Sequence, residues 1–442
     1  MSFSIAALQS VLEEFGRQAD QPSRYIVAFS GGLDSTALLH ALCTLNNDQV
    51  PVIAIHIDHG LQPDSADWAR HCEDVAAGMG AAYRSLAVNV QLESGKGPEA
   101  SARDARYTAF RNEMHAGDWL FSAHHREDQA ETLLLNLVRG AGPAGIAGIG
   151  AVRRFGPGWL MRPLLDVERA ELQDYAAAEE LQWIEDPSNR DRRFDRNFLR
   201  HDVLPRLGTR WPDVAQRLQR SARHAGEAAA LLGELAAIDL AALGDRAERL
   251  PIGSLLALPP ARQRNVLRHA LKKLGLSTPT EVQLRRILDE VIPAREDAQP
   301  LVSWPGASVR RYRDQLYLLP EELRQAPQPS QVTGDRVRLG GGLGVLNFEV
   351  DAAAGLSQAL FDDRLRLEFR QGGEEFRPHG QLHTRKLKKL LQEEAIVPWM
   401  RDRIPLLYSG DKLIAVGDFW LAADAVVKNG IAVHWQDRPA LH

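Results

Sequence analysis

Residues 25–42 confine this chain to one kind of local architecture. Tyr25-Ile26-Val27-Ala28-Phe29 is a short apolar run and predicts a buried strand, while Thr36-Ala37-Leu38-Leu39-His40-Ala41-Leu42 predicts a helix. Between them stands Ser30-Gly31-Gly32-Leu33-Asp34-Ser35, which puts two glycines at a strand-to-helix turn. The first N–H groups of a helix have no internal partners, and the helix dipole places partial positive charge there. A phosphate is the natural occupant. Residues without a Cβ accept unusual dihedrals and let phosphate oxygens come close. Ser30 and Ser35 add hydroxyl donors, and Asp34 suits Mg²⁺, which binds through one or two carboxylates plus phosphate oxygens. The turn lacks the Gly-Lys-Ser/Thr ending of a Walker A loop and the third glycine of a dinucleotide fingerprint.

The pattern repeats downstream. Val52 to Asp58, Tyr83 to Val90 and Trp119 to Ala123 read as strands. Residues 65–79, 98–116 and the leucine-rich stretch after Thr132 read as helices. Strands alternating with helices predict an α/β domain with a doubly wound, mainly parallel sheet. Ligands of such sheets bind beyond the carboxyl ends of the strands, where Ser30, Asp58 and His124 all fall. The glycine-dense run from Gly140 to Gly150 predicts a mobile lid near that edge. Leu160 to Leu165 reads as a further strand and residues 167–181 as a helix.

Three groups of residues carry chemistry. His124 and Asp128 are spaced i, i+4, and Glu131 follows Asp128 by three, so one helix face can present all three. A carboxylate beside an imidazole orients it for proton transfer or helps hold metal and phosphate. Arg103 and Arg106 are spaced i, i+3, and either could neutralise charge building on an α-phosphate; a solvated helix face is the competing reading. The third group is electrostatic. The net charge is −5, yet Asn189 to Arg223 holds ten arginines against four aspartates. Local patches rather than global charge attract phosphate backbones. Arg190, Arg192, Arg193, Arg196 and Arg200 lie among Trp183, Phe194, Phe198 and Trp211, a mixture that suits a single-stranded RNA loop. Lys386, Lys388 and Lys389 form a second candidate contact to a phosphate backbone.

At 442 residues the chain exceeds one core. The composition shifts predict three domains: 1–215 around the glycine turn, a small helical domain at 216–322, and an α+β domain at 330–442. Cys43 and Cys72 are the only cysteines, both in predicted helices, which argues for a reducing cytoplasm and against zinc or iron–sulfur sites. No apolar run approaches a membrane helix, and no signal peptide is recognisable.

The Ser-Gly-Gly-x-Asp-Ser pattern resembles the pyrophosphate (PP) loop of the ATP pyrophosphatases, which adenylate a carbonyl-type oxygen and release pyrophosphate. Further segments narrow the resemblance to the tRNA(Ile)-lysidine synthase family. They are Asp58-His59-Gly60-Leu61, Glu99-Ala100 with Ala102-Arg103 and Ala105-Arg106-Tyr107, Ala123-His124-His125 with Asp128-Gln129 and Glu131-Thr132, Arg139 to Gly145, Arg162 to Leu165, and Asp186 to Asn189. In the last third they are Arg377-Pro378, Leu387 to Glu393, Pro398-Trp399, Arg403 to Leu407 and Val416-Gly417-Asp418. Many family members carry Asp-Asp where this chain has Glu127-Asp128, so the family role passes to Asp128.

The resemblance implies a cytoplasmic ligase whose partners are ATP, Mg²⁺, L-lysine and the tRNA(Ile) with a CAU anticodon, with a homodimer left open. ATP would lie on Ser30, Gly31, Gly32, Leu33, Asp34 and Ser35 with Asp58 nearby, and Asp34 would take Mg²⁺. Arg103 or Arg106 would meet the developing phosphate charge, and His124 with Asp128 would activate or orient the reactants. A tRNA thiolase built on the same loop is the rival reading.

Overall fold

The computed structural model describes residues 3–46, 50–58, 65–88, 98–295, 298–321, 327–362 and 365–439. The expectations for His59-Gly60-Leu61 lie outside the described residues. Backbone contacts divide the chain into two compact units, Met1–Leu231 and Leu232–His442.

In the first unit, six strands form one sheet. They are β1 (Arg24–Ala28), β2 (Val52–Asp58), β3 (Ala82–Ala87), β4 (Asp118–Phe121), β5 (Val152–Phe155) and β6 (Gly158–Met161), in the order β3-β2-β1-β4-β6-β5. All neighbouring pairs are parallel except β5–β6. The helices are α1 (Ile5–Gly16), α2 (Leu33–Asn46), α3 (Ser65–Gly78), α4 (Pro98–Glu113), α5 (Arg126–Val138), α6 (Pro143–Ile146) and α7 (Arg169–Ala178). Leu38, Leu39 and Leu42 of α2 are fully buried against one sheet face, in a core with Val27, Phe121 and Leu172. Each buried leucine contributes roughly 2 kcal/mol of apolar transfer. Phe110 of α4 and Met114 just after it pack with Ile26, Ile55 and Leu120 in a separate cluster, so helices line both faces. The strand order reverses between β1 and β4, and the crevice beyond their carboxyl ends is the ligand site of such sheets.

Two local expectations differ from the structure. The run Leu160 to Leu165 stops being a strand at Met161, and Leu164 and Leu165 are buried in the turn that follows. Its antiparallel partner β5 is unmarked by alternation, because Arg153 and Arg154 are exposed at the sheet edge. The glycine-dense run is tied down rather than free. Gln129 Nε2 donates to the Ile149 carbonyl at 2.6 Å and its Oε1 accepts from the Ile149 amide at 2.7 Å. Asn136 Nδ2 reaches the Gly145 carbonyl at 2.7 Å, and Arg162 Nη1 reaches that of Gly150 at 2.6 Å. A Cβ on Gly148, whose φ is +71°, would lie 2.3 Å from Gln129 Oε1.

The helix Val214–Ala242 crosses the boundary between the units. In the second unit, Arg249–Pro251, Gln315–Leu319, Ala307–Tyr312 and Leu301–Trp304 form an antiparallel sheet. It shares a core with helix Pro260–Lys273 through Val266, Leu267, Ala270 and Leu271. Two five-stranded antiparallel sheets enclose a further core that includes Leu387, Leu390 and Leu391 of the helix Leu387–Glu393. None of the described helices is long and apolar enough to cross a membrane.

Candidate active site

The glycine turn follows β1 and opens α2, as the pattern predicts. The two glycines do different things. Gly31 has φ +75°, and a Cβ there would meet Cys72 Sγ at 2.7 Å and Trp68 Nε1 at 3.2 Å. Gly32 has no positive φ, and a Cβ would make only an ordinary contact, 3.4 Å from Ser30 Oγ. The loop is braced from within. Ser35 Oγ donates to the Gly32 carbonyl at 3.0 Å and lies 3.1 Å from Ser30 Oγ. Trp68 Nε1 caps the Ser30 carbonyl at 3.1 Å, and the Ile184 amide caps that of Gly31 at 2.8 Å. Leu33 is buried, and Asp58 ends β2 opposite Ala87.

Asp34 stands in the first turn of α2. Burial pushes its carboxyl up, against the pull of His125 and Arg169. Its Oδ2 is 3.8 Å from His125 Nε2, and its Oδ1 is buried without a hydrogen-bond partner. A buried carboxylate oxygen with an open valence fits a divalent cation. No cluster of three or more His, Cys, Asp or Glu among the described residues could hold a metal alone. A cation at Asp34 would therefore complete its shell with phosphate oxygens and water, as Mg²⁺ commonly does.

The segment after β4 departs from the helical-face expectation. α5 begins at Arg126 with His125 as its N-cap, so His124 precedes the helix and shares no helical face with Asp128. His125 is the residue clamped among the acids. It is 1% exposed, its Nδ1 lies 2.9 Å from Glu127 Oε2, and its Nε2 lies 3.4 Å from Asp128 Oδ2. Burial pulls the imidazole down, but Glu127, Asp128 and Asp34 outweigh it and hold the ring above its ordinary range. Glu127 also accepts from the Arg169 amide at 3.1 Å. It is thus the orienting partner of His125, a role the sequence did not suggest.

His124 is held in the opposite state. Its Nδ1 is 2.6 Å from Ser122 Oγ. Burial, reinforced by Arg162, Arg103 and Arg196 against the pull of Asp128, pushes its imidazole down to about 3. It is neutral at physiological pH, a hydrogen-bonding group rather than a charge.

Asp128 and Glu131 meet on Arg200. Arg200 Nε donates to Glu131 Oε1 at 2.6 Å, and its Nη2 donates to Glu131 Oε2 at 3.1 Å and Asp128 Oδ1 at 3.0 Å. Burial pushes the fully buried Glu131 up and Arg200 only partly offsets it. Burial also pushes Asp128 up, but His125, His124 and Arg200 overcome it, so Asp128 ends below the usual carboxylate range. Arg200, grouped by sequence with the exposed arginines, is instead turned inward. Two buried carboxylates demand a countercharge, and it supplies one.

Arg103 and Arg106 both flank the Tyr107 ring, at 5.2 and 6.0 Å from its centroid. Arg162, 3% exposed, hydrogen-bonds the Tyr107 phenol. Burial raises that phenol, and the Arg162, Arg103 and Arg106 charges more than reverse it. Arg103, Arg162 and Tyr107 thus form a cationic wall beside His124. Arg190, Arg192 and Arg193 are paired with Glu185, Asp202 and Asp191. Lys386, Lys388 and Lys389 lie exposed around the helix Leu387–Glu393, in the second unit.

Comparison with known proteins bears on this arrangement. The PP-loop domain family matches residues 4–207, the TilS substrate binding domain 250–317 and the TilS substrate C-terminal domain 365–435. A tRNA(Ile)-lysidine synthase from Coxiella burnetii is 42% identical over 89% of this chain and 88% of that protein. The chain belongs to the tRNA(Ile)-lysidine synthase family. A second tRNA(Ile)-lysidine synthase, from Alkalilimnicola ehrlichii, is 42% identical over 92% of each chain. Among solved structures, the U34-tRNA thiolase NcsA from Methanococcus maripaludis aligns with a TM-score of 0.42 at 16% identity, over 50% of this chain and 77% of that one. The lysidine synthase family is an ATP-using ligase family, and the domains after residue 231 match its substrate-binding and C-terminal parts.

Proposed function

We propose that this chain joins free L-lysine to C2 of the wobble cytidine of tRNA(Ile) with a CAU anticodon, consuming ATP and giving AMP and pyrophosphate. The product, lysidine, changes codon reading from AUG to AUA. The observation that carries the reading is the convergence of Ser30–Ser35, Asp34, His124, His125 and Asp128 at the β1/β4 switch point, in a chain of this family.

ATP lies with its phosphates against the first turn of α2 and the Ser30 and Ser35 hydroxyls. Gly32 leaves room for the phosphate oxygens. Asp34 would hold Mg²⁺, which would supply positive charge to offset that of the phosphates. The cytidine O2 attacks the α-phosphorus, the bond to the β-phosphate oxygen breaks, and pyrophosphate leaves with the electron pair. Arg103 or Arg106 stabilises the charge that builds on the α-phosphate. The ε-ammonium of lysine gives a proton to the Asp128 carboxylate, the freed amine attacks C2, and AMP departs with the O2 oxygen. His124, neutral, hydrogen-bonds the reacting groups without repelling the arginines. Asp128, fully ionised, attracts the lysine ammonium.

We assign tRNA contacts to Arg190, Arg192, Arg193 and Arg196 and to Lys386, Lys388 and Lys389, and domains to 1–215, 216–322 and 330–442. Free, protonated thiols support a cytoplasmic setting. Burial pushes Cys43 up to about 11 and Cys72 to about 12, which also disfavours thiolate chemistry. Sustained pyrophosphate release that needs both tRNA and L-lysine is the expected result. Release that proceeds with tRNA and a sulfur donor, and not with lysine, would favour the thiolase reading.

A further inference from the structure

The segment that turns Arg200 inward has an outer face. Asp195–Phe198, the π-helical turn Leu199–Val203 and Leu204–Arg210 run on without a break. π-turns inside helices frequently mark functional sites, because the extra residue re-aims side chains. Here Arg200 goes to Asp128 and Glu131, while Phe198 remains 48% exposed. Phe198, Asp202, Val203, Arg206 and Leu207 line an open cavity of about 210 Å³. Its walls are aromatic and aliphatic, and its rim is charged.

The rim separates two kinds of arginine. Arg192 spends its charge on Asp202 Oδ1 at 3.1 Å. Arg206 and, one turn on, Arg210 are exposed and have no acidic partner among the described residues. Exposed Trp211 follows directly. An apolar side chain of a protein partner would cover Phe198 and leave both cations uncompensated. A free anion would meet Arg206 and ignore Phe198. A nucleotide in a single-stranded loop uses both, with a π-face for the ring and a phosphate for the guanidinium.

We propose that this cavity receives one unstacked nucleobase of the RNA substrate's anticodon loop, stacked on Phe198, with its backbone phosphate on Arg206. The proposal rests on the tRNA reading above and adds a binding subsite to it. Asp202 Oδ2 can accept from an exocyclic amine, which favours adenine or cytosine in the cavity. Base seating and the Arg200 contacts then share one turn of backbone.

The test is equilibrium binding of the full chain to unmodified tRNA(Ile) across a salt series, with ATP binding measured alongside. Phe198→Leu keeps an apolar side chain and removes the aromatic face. It is expected to weaken tRNA binding on the order of tenfold, and Phe198→Trp to restore it. Arg206→Gln is expected to weaken binding and lower the slope of log affinity against log salt by about 0.7. ATP affinity stays at the wild-type value in all three. Wild-type tRNA affinity in both Phe198→Leu and Arg206→Gln would overturn the proposal. So would loss of self-association in Phe198→Leu with tRNA affinity intact, which would assign the cavity to a second copy of the chain. Failure of the tRNA reading looks different: the wild-type chain would bind tRNA no better than unrelated RNA, and the subsite would fall with it.

Discussion

At the residue scale, the two adjacent glycines separate fold from ligand. Gly31→Ala combines a left-handed φ with a 2.7 Å approach to Cys72 Sγ, so it is expected to destabilise the domain by about 1–3 kcal/mol and lose ATP binding with it. Gly32→Ala has neither burden. Its melting temperature is expected to stay near wild type while ATP affinity falls, and unchanged ATP affinity would mean that phosphate does not approach there. Asp128→Ala is expected to leave tRNA affinity nearly intact and to lower lysidine formation by at least about 10²-fold. A comparable loss of tRNA affinity would remove Asp128 from the chemistry. The sequence marked Asp34, Asp128 and the serines because their spacing from the strand ends is nearly rigid. It singled out His124 and passed over His125. Both stand at a helix entry, and only the N-cap geometry decides which ring turns toward Glu127 and the aspartates. Arg200 was misplaced for a similar reason. Composition cannot show that a π-turn directs one arginine of a run inward.

At the element scale, the site depends on β1 and β4 lying side by side, because one strand delivers the glycine loop and the other the histidines. Their far ends are locked by Arg24 and Asp118, which are register partners. Arg24 Nε donates to Asp118 Oδ1 at 2.9 Å, and the His115 amide donates to Oδ2 at 2.7 Å. Burial raises the Asp118 carboxyl, but Arg24, the His115 amide and Ser23 more than offset it and hold it below its usual value. A lowered carboxyl stabilises the fold above its ordinary pKa of about 3.9 and loses that contribution as pH falls through the folded value. Asp118→Ala is expected to cost on the order of 3 kcal/mol in urea unfolding at pH 7. The gap should narrow below about pH 4, and a gap independent of pH would assign the loss to packing alone. The parallel strands and their helices were legible because buried runs and amphipathic stretches differ in period. The edge strand β5 was not, since its two arginines face solvent. Nor was the anchoring of the glycine-dense run, which hangs on single side chains, Gln129 above all.

At the scale of the whole molecule, the proposed ATP site lies in the first unit, while the proposed RNA contacts are divided between the first unit and the second. The second unit carries Lys386, Lys388 and Lys389, exposed beside a helix whose Leu387, Leu390 and Leu391 are buried. Replacing the three lysines with glutamine is expected to weaken tRNA binding uniformly and flatten its salt dependence, with ATP affinity and melting temperature unchanged. An unaltered salt slope would leave them a solvated face. Sequence offered a change of character near residue 215 and the charged patches, but not the pairing of Arg190, Arg192 and Arg193 with neighbouring acids, which only the fold brings together. The central claim is that one crevice joins ATP, lysine and tRNA. It is tested most directly by incorporation of radiolabelled L-lysine into total tRNA with ATP, comparing the intact chain with Asp34→Ala. Label entering tRNA with the intact chain and not with Asp34→Ala is the predicted result. No lysine label, with ATP-dependent entry of sulfur or ammonia instead, would contradict it.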